Sequence, residues 1–157
     1  MIVAALLSAW LQYAADGKPH VRAVVTDSCP SVVVDERLLP MGVRSPKSAA
    51  FGDVVCDVAV SGEAKKIRVG DRVLPAPARE PKTVVVLGDT GCRISAFTGQ
   101  ACNDPAAWPF PQTARSIAAV HPDLIVHVGD YLYREHACPP TVRCADSPHG
   151  DDSTAGN

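Results

Sequence analysis

Two apolar, β-branched runs in this chain, Thr-Val-Val-Val-Leu at residues 83–87 and Leu-Ile-Val-His-Val at residues 124–128, end in the same dipeptide, Gly88-Asp89 and Gly129-Asp130. A continuous run of this kind reads as a strand buried on both faces, which is the habit of parallel sheets. Between them, residues 112–120 carry apolar side chains at helical spacing, introduced by Pro109 and Pro111 and stopped by His121-Pro122. Strand, helix and strand in that order predict a β-α-β unit with its strands parallel and adjacent. Ala114, Ile117, Ala118 and Val120 are expected to face the sheet. The long segment between the first strand and the helix has little periodicity, which in a compact domain marks a functional loop, and Cys92 and Cys102 lie within it.

Ahead of this unit the pattern differs. Short valine-rich runs at residues 21–25, 32–34, 54–60 and 67–73 are separated by Pro, Gly and Asp, as expected of a small β-sheet region. Three prolines within residues 75–81 then form a stiff, extended connection. The chain is therefore expected to divide into a small β-rich N-terminal region, residues 1–80, and an α/β region, residues 81–157. From residue 139 onward periodicity disappears.

With 157 residues and 46% hydrophobic content the chain can bury a core, and its net charge of −2 comes from interspersed acids and bases. Lacking a basic or acidic run, it offers no pattern for nucleic acid or a membrane surface. The cysteines fall as Cys29 and Cys56, Cys92 and Cys102, Cys138 and Cys144, with no Cys-x-x-Cys. They read as sequential disulfides closing modest loops, which implies a periplasmic or secreted protein; buried free thiols are the alternative. Residues 1–11 are apolar, too short to span a membrane, and lack a positively charged start. They fit either a remnant signal segment within residues 1–15 or a first strand at residues 8–13, with Trp10 in the core and Asp16-Gly17 as the hairpin turn that follows.

The chemistry resides in the repeated dipeptide. Glycine lets the backbone turn sharply as a parallel strand leaves the sheet, and the crevice beyond such strand ends is where open α/β sheets bind ligands. Asp89 and Asp130 are thus expected to converge. Two adjacent carboxylates repel unless they share a proton or a cation, and with the nearby phenol of Tyr133 they form a hard oxygen set suited to a metal. A single Gly-Asp after a strand is usually a turn with the aspartate capping an amide. The pair, with its connecting helix and Tyr133, argues for more.

Gly88-Asp89-Thr90-Gly91 followed by Gly129-Asp130-Tyr131-Leu132-Tyr133 resembles the first two motifs, Gly-Asp-x-Gly and Gly-Asp-x-x-Tyr, of the purple acid phosphatase branch of calcineurin-like metallophosphoesterases. The resemblance covers about residues 82–136. In the wider superfamily the first motif is Asp-x-His with a ligating histidine; here Gly91 holds that place and Tyr133 keeps the ligand count. The resemblance implies an α/β fold, the β-α-β start of a metallophosphoesterase sandwich. It further implies that Asp89 and Tyr133 bind a first metal, that Asp130 bridges two, and that the metals are iron with iron, zinc or manganese. The implied activity is hydrolysis of a phosphorylated small molecule or other phosphoester by water activated at the metals. The family's remaining motifs, Gly-Asn-His with the catalytic histidine, a lone histidine and Gly-His-x-His, have no counterpart, and Gly156-Asn157 follows no apolar strand. The chain accordingly reads as an N-terminal portion of a longer protein that cannot assemble the two-metal site alone.

His127 reads as core or as support for a ligand, and Arg93 as a loop residue or a phosphate contact. Glu135 and His136 read as surface loop, and His149, Asp151 and Asp152 as a polar tail. A haloacid-dehalogenase-like phosphatase needs a second aspartate that Asp89-Thr90-Gly91 lacks. A secreted β-domain binding module with a degenerate phosphatase remnant is the alternative from another class.

Overall fold

Side chains alternate strictly along Pro19–Val25: Val21, Ala23 and Val25 are at most 1% exposed, while His20, Arg22 and Val24 are half-buried. One face of this strand is therefore committed to a core. In the computed structural model, which describes residues 5–49, 51–95 and 99–134, the chain divides into two units, Met1–Arg79 and Glu80–Asn157.

The first unit holds β1 (Leu6–Tyr13), β2 (Pro19–Val25), β3 (Ser31–Val34), β4 (Arg37–Pro40), β5 (Gly42–Ser45), β6 (Val54–Ala59), β7 (Ile67–Val69) and β8 (Arg72–Leu74). They form two four-stranded sheets, in the orders β1-β2-β6-β5 and β4-β3-β7-β8, with every pairing antiparallel. Val21, Val25 and Cys56 of the first sheet share one core with Val32, Ile67 and Val69 of the second. Each such side chain contributes about 1.5–3 kcal/mol by leaving water. A disulfide from Cys29 to Cys56 ties the segment after β2 to the middle of the core. Residues 6–13 thus form the first strand, and Gly17, at φ 74, turns it into β2. The run at residues 67–73 is not one strand but a hairpin, broken where Gly70 adopts φ 58.

On the outer face of the first sheet Asp57 accepts hydrogen bonds from Arg22 Nε (2.9 Å) and His20 Nδ1 (2.7 Å). Burial works to raise the Asp57 carboxyl, but the bonds from Arg22 and His20 outweigh it, leaving it below the ordinary carboxylate range. A carboxyl depressed in the folded state stabilises fully above its unfolded value and stops doing so as pH falls through its folded value. Urea midpoints of the first unit are therefore expected to hold above about pH 5 and to fall as pH drops below about 4. A midpoint independent of pH across that window contradicts this.

The second unit holds β9 (Val84–Leu87), β10 (Arg93–Ile94), α1 (Phe110–Ala119), β11 (Leu124–His127) and β12 (Tyr133–Arg134). β9 and β11 pair in parallel, in register from Val84↔Leu124 to Leu87↔His127, and β10 pairs in parallel with β12. Asp123 closes the start of the first pair, its carboxylate accepting the N–H groups of Lys82 and Thr83 at 2.9 Å. A second disulfide, Cys92–Cys102, staples the segment ahead of α1, where Cys92, Ile94 and Cys102 form a small core with Trp108 against it. Cys138 and Cys144 lie outside the described residues. Both disulfides are of the kind that persists in oxidising compartments, as in secreted proteins. No helix among the described residues is long and apolar enough to cross a membrane.

The expected α/β sandwich is overturned. Among the described residues α1 is the sole helix, and antiparallel sheets make up most of the structure. A layered α/β fold needs helices covering both faces of a broad parallel sheet. Here the parallel sheets have two strands each, and α1 buries none of its residues. Ala114 and Ile117 are half-buried as the helix pattern requires, but Ala118 is exposed, and Val120, just past the helix, is 58% exposed. Val86 at 62% and Ile125 at 52% likewise remain open to solvent. The described residues form mainly antiparallel β structure with one β-α-β connection.

Candidate metal centre

The two Gly-Asp turns share the conformation of their aspartates and differ at the glycine, since Gly129 has positive φ and Gly88 does not. Asp89 has φ 54 and Asp130 φ 60, left-handed conformations that aspartate tolerates better than most side chains, and Gly129 has φ 116. The turns are bonded to each other: the N–H of Asp89 donates to Gly129 O (3.2 Å) and that of Gly91 donates to Asp130 O (2.9 Å). The parallel pairing of β9 with β11 brings the two aspartates side by side, and that of β10 with β12 sets Tyr133 opposite Arg93.

Tyr133 completes the cluster. Its hydroxyl donates to Asp89 Oδ1 at 2.7 Å. Hydrogen bonds to Asp89 and then Asp130 hold the phenol well above its ordinary value, so without a cation it keeps its proton. Asp89, Asp130 and Tyr133, the residues singled out from the sequence, thus do meet. Their oxygens make a set of hard donors in which a proton occupies the place a cation could take. They fit part of a metal site. Among the described residues no cluster of three or more His, Cys, Asp or Glu is assembled, so Asp89 and Asp130 are joined by the Tyr133 phenol and not by a third carboxylate, imidazole or thiolate.

Gly91 explains why the tyrosine can be there. A Cβ at this position would stand 2.7 Å from Tyr133 Cδ2 and 3.0 Å from both Leu132 N and Tyr131 C. Two of those three neighbours are backbone. A side chain at position 91 and the ring of Tyr133 therefore compete for the same space, and this chain resolves the competition in favour of the ring. Gly91→Ala is expected to displace Tyr133 and cost about 1–3 kcal/mol, read as a lower urea midpoint of the second unit. Wild-type stability in the variant contradicts the packing argument.

His127 is neither core nor one of the clustered donors. It is exposed, and its Nδ1 accepts the N–H of Gly129 at 3.2 Å, which leaves the ring proton on Nε2. Nε2 then donates to Thr90 Oγ1 at 2.7 Å. One imidazole thereby links the residue beside Asp89 to the residue beside Asp130. Arg93 places its guanidinium over the Tyr133 ring, 5.9 Å from the centroid.

An open cavity of about 630 Å³ adjoins the cluster, with Asp89, Tyr133 and Arg93 in its wall; Asp130 is not part of that wall. Sequence reasoning missed two further residues of this cavity, Trp108 and Phe110, whose rings lie 5.5 Å apart. The one local signal was the aromatic-proline alternation Trp108-Pro109-Phe110-Pro111. Glu135, His136, His149, Asp151, Asp152 and Gly156-Asn157 lie outside the described residues. Compared with protein-family models, with curated proteins and with solved structures, the chain finds no match.

Proposed function

We propose that Asp89, Asp130 and Tyr133 form the first half of a two-metal, phosphoester-hydrolysing centre of the purple acid phosphatase type, in an exported protein. The observation that carries this is the convergence of two left-handed Gly-Asp turns on one phenol, which donates to Asp89 at 2.7 Å. Asp89 and Tyr133 would hold one cation, with the phenol giving up its proton, and Asp130 would bridge it to a second. A phenolate ligand favours ferric iron; zinc, manganese or iron would accompany it. Such a pair, when bound, lowers the pKa of water and offsets charge on phosphoryl oxygens.

The chain's own groups would do the rest. Arg93, in the cavity wall, would donate to phosphoryl oxygens in a charge-assisted contact. His127 and Thr90 hold the two turns in register, so that the carboxylates keep their separation. The remaining ligands and the catalytic histidine that the resemblance implies are not supplied by these residues. The 157-residue chain is therefore expected to bind metal without appreciable turnover. Equilibrium dialysis against Fe(III) supplied as its citrate complex is expected to show one ion per chain, lost in Asp89→Asn. A chain that retains no metal contradicts the proposal.

A further inference from the structure

The cavity beside the cluster is lined by two chemically distinct kinds of side chain: Asp89, Tyr133 and Arg93, which are charged or polar, and Trp108 and Phe110, which are aromatic. Trp108 is fixed in place: its indole N–H donates to Thr90 O at 2.9 Å, one residue from Asp89, and its ring packs against the small core around the Cys92–Cys102 disulfide. With its single donor satisfied by the protein, the indole offers a ligand only its π surface. Phe110, tilted 31° to it, adds a second surface that cannot hydrogen-bond. Two aromatic rings of this kind recognise shape and polarisability, and a planar ring matches them better than a sugar or a short alkyl group.

We infer that the ester taken at this site is an aryl phosphate, its phosphoryl group towards Asp89, Tyr133 and Arg93 and its ring on Trp108 and Phe110. The inference rests on the phosphoester reading of the metal centre. It adds that the non-phosphoryl part of the substrate is aromatic.

The test is a calorimetric titration of the iron-loaded chain with three probes: inorganic phosphate, methyl phosphate and phenyl phosphate. Phenyl phosphate is expected to bind about tenfold tighter than methyl phosphate. Saturation transfer to the phenyl protons should accompany it. Trp108→Leu is expected to bring the phenyl-to-methyl ratio close to one. Because Trp108 also supports the local core, Phe110→Leu serves as a second variant and should reduce the ratio to a few-fold. Equal affinities for phenyl and methyl phosphate in the wild-type chain, with inorganic phosphate still bound, overturn the aryl inference alone. Failure of all three probes to bind overturns the phosphoester reading, and the inference with it.

Discussion

Asp130→Asn is expected to lower the affinity of the chain for Fe(III) by about a hundredfold or more. The substitution removes one negative charge from the cluster at almost constant shape. A unit charge pair about 4 Å apart is worth about 4 kcal/mol at an effective dielectric of 20, roughly a thousandfold in affinity. Asp130 is exposed, and solvent screening reduces that figure to the smaller one. Asparagine occupies left-handed backbone at least as readily as aspartate, so the turn at φ 60 should survive and the fold should lose little. Metal affinity and stability are thus expected to separate: dialysis reports the loss, and the urea midpoint of the second unit stays within about 0.5 kcal/mol of wild type. Unchanged metal affinity would remove Asp130 from the donor set.

Loss of the Cys29–Cys56 disulfide should act on the other unit, and on stability instead of binding. The bridge joins residues 27 apart in sequence, and closing a loop of that size is worth about 3–4 kcal/mol. Cys56 is fully buried, so a serine there places a hydroxyl in the core at a further cost of about 1–3 kcal/mol unless it finds a partner. Small β units have only a few kcal/mol in reserve. The Cys29→Ser, Cys56→Ser double variant is therefore expected to be largely unfolded without denaturant, read by loss of the far-ultraviolet β signal. An unshifted urea midpoint would show that the two sheets hold without the bridge.

The sequence was most informative where side-chain period and backbone demand agree. β2 and β6 follow from apolar residues spaced two apart, Val21, Ala23 and Val25 in one and Val54, Cys56 and Val58 in the other, and the Gly-Asp ends of β9 and β11 follow from apolar runs meeting residues that accept left-handed backbone. The hairpin from β3 to β4 gives no such sign. Its turn residues, Asp35 and Glu36, adopt φ 46 and 72 without a glycine, and the turn is held instead by Asp35 accepting the N–H groups of Lys65 and Lys66, thirty residues away. Gly70-Asp71 is the opposite case, a turn signal between two short strands, Ile67-Arg68-Val69 and Arg72-Val73-Leu74, that together resemble one valine-containing run.

The error in fold class has a physical source. A β-branched run reports strand propensity, and burial on both faces was assumed from it. Val86 and Ile125 keep the propensity without the burial. Asp89, Asp130 and Tyr133 were legible because their placement follows from strand ends; the role of Trp108 was not, because its partner, Thr90, is set by the fold of the intervening loop. Gly91 read simply as a missing histidine, whereas its distance to the Tyr133 ring turns that absence into a steric requirement.

The most direct measurement is the visible spectrum of the chain titrated with Fe(III). A phenolate bound to ferric iron gives a charge-transfer band, and among Tyr13, Tyr131 and Tyr133 the third alone bonds to Asp89. The account predicts a band that saturates at one iron per chain, persists in Tyr131→Phe and disappears in Tyr133→Phe. A colourless iron-loaded chain, or a band that survives Tyr133→Phe, would contradict it.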